Sequence, residues 1–211
     1  MEDNQQHLEA LKDIRQMMKQ SNRFLSLSGF SGIFAGLYAL IGAWFGQNAI
    51  NRYQADPMGP HFDHSFYFNT LQECIIICLI VLALSLFTAI IFSQRKAKKL
   101  GYKLFDHTAW RLMINMLIPL ATGGLFCIAL ILNGYKMIGL VSSALLIFYG
   151  LALVNGSKYT LHEIRYLGCM EIALGLAASF FMGYALLFWT LGFGVLHIVY
   201  GAYMWFKYER A

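Results

Sequence analysis

Hydrophobic positions in this chain fall in long unbroken runs. They show neither the alternation of a half-buried strand nor the narrow apolar stripe of a soluble helix. A bilayer core is about 30 Å thick, so a spanning helix needs roughly 20 apolar residues at about 1.5 Å each. Phe24 to Phe45 carries no charge between Arg23 and Arg52. Leu71 to Ser93 is a second run, with Glu73 at its outer end. Between Arg111 and Lys158 only Lys136 interrupts, inside Asn133-Gly134-Tyr135-Lys136, which predicts two helices and a tight loop. Between Arg165 and Lys207 only Glu171 is formally charged, and the 41 residues there hold two more helices. The pattern predicts an all-α integral membrane bundle of six transmembrane helices in one domain, 23–206. The spans are 24–46, 71–93, 112–132, 137–154, 166–187 and 190–206. The runs are too long for barrel strands.

No polar run marks the last turn. A turn near Tyr184 would set Glu171 opposite His197. A turn near Phe188 would put Trp189 in the interfacial aromatic belt and offset the two groups by about 10–12 Å. Aromatic anchors belong at interfaces, which favours Phe188. Three outward helices open alike, at Arg23-Phe24-Leu25, Arg111-Leu112-Met113 and Arg165-Tyr166-Leu167. That fits three helical hairpins, and equally the cation that any inner boundary needs.

Outside the spans, residues 1–22 space Leu8, Leu11, Ile14 and Met18 on one helical face among charges. This predicts a short cytoplasmic amphipathic helix, extending the first span or lying on headgroups, or serving as a docking or self-association element. The outer loop Gln47 to Thr70 holds Pro57, Pro60 and several aromatics, and 207–211 form a short tail.

Composition narrows the class. The chain is 58% hydrophobic and 13% charged, against about 45–50% and about 25% for soluble domains. A soluble enzyme, a disordered chain and a disulfide-stapled secreted domain are excluded. The net charge of +5 is topological. Fourteen of the 16 Lys and Arg residues fall on one side: the N-terminal segment, the 95–111 connection, the 158–165 connection and the tail. The positive-inside rule then places both termini in the cytoplasm of a multi-pass inner (cell) membrane protein. Nucleic acid is not needed to explain the basic cluster, so the expected partners are the bilayer and a second copy or another membrane protein. The first run is longer than a signal h-region and lacks a small-residue cleavage site, so it is expected to remain as an anchor. Cys74, Cys78, Cys127 and Cys169 fall inside spans, where cysteine packs as a small apolar residue.

Ionisable residues within spans are costly and mark functional sites by default. Glu171 and His197 are the candidates for a ligand or proton path, with Tyr200 one turn from His197 and Asn115, Ser142 and Ser143 as polar neighbours. Gly168, Glu171 and Gly175 stand at i, i+3 and i+7, as do Gly194, His197 and Gly201. Those offsets share a face, and small residues let helices approach closely in lipid. Both ionisable groups should therefore face protein. Gly32 and Gly36, with Ser28, form a similar packing stripe on the first helix. Pro119 with Gly123-Gly124 offers a helix break.

Gly29-Phe30-Ser31-Gly32 superficially resembles the G-x-S-G of rhomboid intramembrane proteases. That resemblance implies a serine–histidine pair with His197, although rhomboids carry the serine on a later helix. His61, Asp63 and His64 in the outer loop are weak metal candidates. No cofactor is expected. The leading expectation is a small transporter or channel with a proton-linked Glu/His site. The alternatives are a structural, sensory or accessory membrane protein acting through residues 1–22 and the basic loop, and, remotely, an intramembrane hydrolase.

Overall fold

A computed structural model describes residues 28–55, 64–99 and 107–210. Within them the chain is all helical, as its pattern predicts. The helices are α1 (Gly29–Gln54), α2 (His64–Lys99), α3 (His107–Leu132), α4 (Tyr135–Gly156), α5 (Glu163–Phe180) and a composite α6. Three pieces make up α6: Ala185–Trp189, a π-helical turn Thr190–Leu196, and His197–Tyr208. Five helices are long and apolar enough to cross a membrane, α5 being the exception. Large apolar side chains such as Leu79, Phe87, Leu117, Leu125 and Leu132 lie on the outside. In water such a surface would aggregate, whereas lipid tails solvate it.

The expected tight loop between α3 and α4 turns on Gly134, whose φ of 100° suits glycine. Residues 1–22, His61 and Asp63 lie outside the described residues, and His64 is described only as the first residue of α2.

Two expectations are corrected. The turn after α5 is not at Phe188. α5 ends at Phe180, and a 3₁₀ turn spans Met182–Tyr184. Exposed Phe180, Phe181 and Tyr184 crown this turn. Trp189 instead points inward, with a ring carbon 3.9 Å from where a β-carbon on Gly42 of α1 would lie. The second correction concerns Pro119, which does not break α3; the helix runs through it. Proline lacks the N–H that would bond the carbonyl four residues back, here Asn115. Asn155 of α4 supplies the missing donor, Nδ2 to the Asn115 oxygen at 2.8 Å. The irregular helix is α6.

Two close antiparallel crossings organise the bundle. α4 and α5 meet at Gly150 and Gly168, and again at Ser143 and Gly175. α1 and α6 meet at Gly29 and Gly201, and again at Gly36 and Gly194. The glycine stripes expected at Gly32, Gly36, Gly168, Gly175, Gly194 and Gly201 are these contact lines. α2 packs beside α1, α3 beside α4, and the Ala185–Trp189 piece of α6 bridges to α4. Of the three sequential pairs, α1–α2 and α3–α4 pack as hairpins, while α5 leans mainly on α4 and α6 mainly on α1.

Polar ties close one end of the bundle. Glu209 accepts from Ser28 Oγ at 3.0 Å, from the Gly29 amide at 2.8 Å and from Lys96 Nζ at 3.0 Å. It thereby caps α1 and joins the ends of α2 and α6. Glu163 at the start of α5 pairs with Lys207 and Tyr208 at the end of α6. At the opposite end Arg52 pairs with Glu73.

Candidate functional site

Glu171 faces protein because Gly168 and Gly175, one turn to either side, press α5 onto α4. Its side chain is 0% exposed, and His197 is 7% exposed. The turn position brings them together: Glu171 Oε1 lies 3.4 Å from His197 Nδ1. The offset expected from a turn near Phe188 is thus replaced by direct contact.

Both ring nitrogens of His197 are engaged. Nδ1 lies 3.0 Å from the Gly192 carbonyl oxygen, and Nε2 lies 2.7 Å from the Tyr149 hydroxyl. A carbonyl oxygen only accepts, so Nδ1 must carry the hydrogen. In the neutral ring Nε2 then accepts from the Tyr149 O–H. The rings of Tyr149 and Phe193 flank the imidazole, at centroid distances of 5.4 and 6.0 Å.

The carboxyl is the unusual member. Neither Glu171 oxygen makes a hydrogen bond among the described residues, and the same holds for the buried Ser143 Oγ and Tyr200 hydroxyl. Buried polar atoms are nearly always hydrogen-bonded, and an exception calls for an explanation. Gly192 makes room for the group: a β-carbon there would sit 2.5 Å from Glu171 Oε2 and 2.4 Å from Leu146 Cδ2. A π turn is rare and tends to occur at functional positions. Here it places the Gly192 carbonyl, five residues before His197, against the imidazole.

Not every expected neighbour joins the site. The Asn115 side chain bonds the Arg111 carbonyl of its own helix, so Asn115 leaves the site for the end of the α3–α4 pair. Ser142 donates to the Ala185 carbonyl. Tyr200 packs with Tyr149 around Leu153, Ile164 and Leu167. The resemblance to rhomboid proteases fails on geometry. The Ser31 hydroxyl donates to the Ser28 carbonyl at 2.6 Å, while His197 engages Tyr149, Gly192 and Glu171. No group of three metal-ligand side chains occurs among the described residues.

Sequence reasoning missed Tyr149 and Gly192. A signal for α4 was present: Ser143, Leu146 and Gly150 repeat the i, i+3, i+7 pattern of α5 and α6. Nothing in the sequence marked the π turn. No protein-family model, curated protein or solved structure matches the chain.

Proposed function

We propose that the chain crosses the inner cell membrane six times, with both termini in the cytoplasm, and that Glu171 carries a proton in a transport step. The topology rests on the basic residues, which gather at one end of the helices. Arg95, Lys98, Lys99, Arg111, Lys158, Arg165 and Arg210 all stand at or next to that end. α5, at 18 residues, is about 27 Å long at about 1.5 Å per residue and spans with little margin.

The function rests on one observation: a fully enclosed carboxyl, neither oxygen of which is hydrogen-bonded among the described residues, 3.4 Å from an imidazole. Leaving a buried polar atom without a partner costs about 1–3 kcal/mol. If packing alone were at stake, an apolar residue would serve better. A carboxyl that takes up and releases a proton gives the cost a purpose.

The roles divide by geometry. Nδ1 of His197 already bears hydrogen, so it is no acceptor for the Glu171 proton. Glu171 is the carrier. His197 is the positioning group, held by Tyr149 and Gly192. The Tyr200 hydroxyl, buried beside Tyr149, lies on the side leading to Glu163 and Lys207. Asn115 has no part in this path.

The test is proton flux into liposomes containing purified protein, driven by a potassium-diffusion potential and read with an entrapped pH dye. Wild type should conduct protons or couple them to a co-solute. Glu171→Gln should abolish the flux while remaining folded, and His197→Ala should slow it. Flux unaltered in Glu171→Gln would remove the carboxyl from the path. If both variants kept flux and lost only thermal stability, the pair would be a packing element. The accessory reading, through residues 1–22 and the basic loop, would then take its place.

A further inference from the structure

The π turn Thr190–Leu196 sits between two unlike halves of α6. The inner half, His197–Tyr208, is clamped to α1 by the crossing at Gly29, Gly32 and Gly201. The outer piece, Ala185–Trp189, has only five residues, contains no buried residue and begins at the 3₁₀ turn Met182–Tyr184. A seven-residue π turn is poorer than the α-helix it replaces and needs local support to persist. One support is lateral: the imidazole Nδ1–H on the Gly192 carbonyl. That same N–H has a second acceptor, Glu171 Oε1, 0.4 Å farther away.

We infer that the π turn is a switch set by the proton on Glu171, with the Nδ1–H of His197 choosing between the Gly192 carbonyl and the Glu171 carboxylate. This rests on the reading of Glu171 as the proton carrier. With the carboxyl protonated, the Gly192 carbonyl is the better acceptor and the π turn is held. When the carboxyl O–H bond breaks and the proton leaves along the proposed transport path, to be taken up by water at the path's end, the two electrons stay on the carboxylate. A charged acceptor makes a shorter bond, roughly twice as strong. The imidazole turns to it with its own N–H bond intact, and Nε2 continues to accept from Tyr149. Gly192 is released, and the outer piece rewinds by one residue into α-helix.

The groups facing the imidazole are few. α5 contributes Glu171, α4 contributes Tyr149, and Tyr200 stands one turn away on α6 itself. α1 presents Gly32, Gly36 and Leu40 at this level, none of them titratable.

A one-residue slip turns the outer piece by about 100° and carries a side chain at its surface by about 8 Å. Nitroxide labels at Leu187→Cys and Leu125→Cys, both exposed, in a background lacking the four native cysteines, report this by pulsed EPR in nanodiscs. The wild-type distance should change by several ångströms between acidic and alkaline buffer. Glu171→Gln should hold the acidic-form distance throughout, and His197→Ala, lacking the tie, the alkaline-form distance. Proton flux measured on the same preparations separates the two ideas. A fixed wild-type distance with flux intact overturns the switch alone, and a fixed distance without flux overturns both. A changing distance without flux retains the switch and removes the transport step. A pH response that persists in Glu171→Gln assigns the trigger elsewhere and overturns the switch.

Discussion

Gly201→Ala and Gly124→Ala are the same chemical change at two helix-interior glycines, and they should differ in sign. A β-carbon on Gly201 would lie 2.6 Å from the Ile33 nitrogen and 2.7 Å from the Gly29 oxygen, where ordinary contact begins at 3.4 Å. Both obstacles are backbone, so no rotamer change relieves them, and α1 and α6 must part by several tenths of an ångström. Overpacking of this kind costs about 1–3 kcal/mol. The gain in helix propensity on replacing glycine with alanine returns up to about 1 kcal/mol. With the full propensity gain the net expectation is a loss of up to about 2 kcal/mol. At Gly124 a β-carbon meets nothing within 4 Å, so only the propensity gain acts, and the variant should be as stable as wild type or up to about 1 kcal/mol more so. Reversible unfolding in mixed micelles, titrated with a denaturing detergent and followed by circular dichroism, resolves a difference of this size. If Gly201→Ala proved equal to Gly124→Ala, the close α1–α6 crossing would be refuted. The crossing would then no longer account for the inward aim of His197.

The Asn155–Asn115 bond should matter only while proline occupies position 119. In a double-mutant cycle in the same micelles, Asn155→Ala should cost about 1 kcal/mol in the native background. It should cost clearly less with Pro119→Ala, which restores the missing N–H; equal costs would remove the account of α3 continuity. At the basic end, Glu209→Ala withdraws three donors' shared acceptor and should cost about 1–3 kcal/mol. Amide exchange at the first turn of α1 should quicken with it. An exchange pattern identical to wild type would show that Glu209 does not cap that helix.

How much was legible in the sequence varies with the physics involved. The long apolar runs had one solution in lipid, helices with all backbone bonds internal, so helix type was readable from hydropathy alone. The inward aim of Glu171 and His197 was readable too, because i, i+3 and i+7 share a face whatever the tertiary structure. The meeting of the two groups was not. It depends on a turn set within a continuous apolar stretch, where Phe180, Phe181, Tyr184 and Trp189 are all credible interfacial anchors and only packing chooses among them. Asn115 was misassigned for a related reason. Depth along a helix was visible, but the azimuth that turns its side chain back onto Arg111 was not. The break in α6 escaped notice because proline and paired glycines are the familiar breakers. Here the break is a widened turn that contains no proline and is held by a side chain from the next turn.

The two crossings are built to one plan. In each, small residues seven apart on one helix meet small residues seven apart on an antiparallel partner: 143 and 150 against 175 and 168, and 29 and 36 against 201 and 194. The residue at i+3 falls between the contacts. In the α4–α5 crossing it is Leu146 on one helix and Glu171 on the other; in the α1–α6 crossing it is Gly32 and His197. Close backbone approach leaves those middle positions no room to bury a long side chain within their own pair. The two ionisable side chains are driven sideways, out of each crossing and toward the other. They meet where Gly192 lies against Leu146 and Glu171. The pair is thus one contact between the two crossings, alongside the bond of Ser142 to the Ala185 carbonyl and the ties of Glu163 to Lys207 and Tyr208. If Glu171 carries a proton as proposed, the change in its charge acts where the two crossings touch, at the contact with His197 and Gly192.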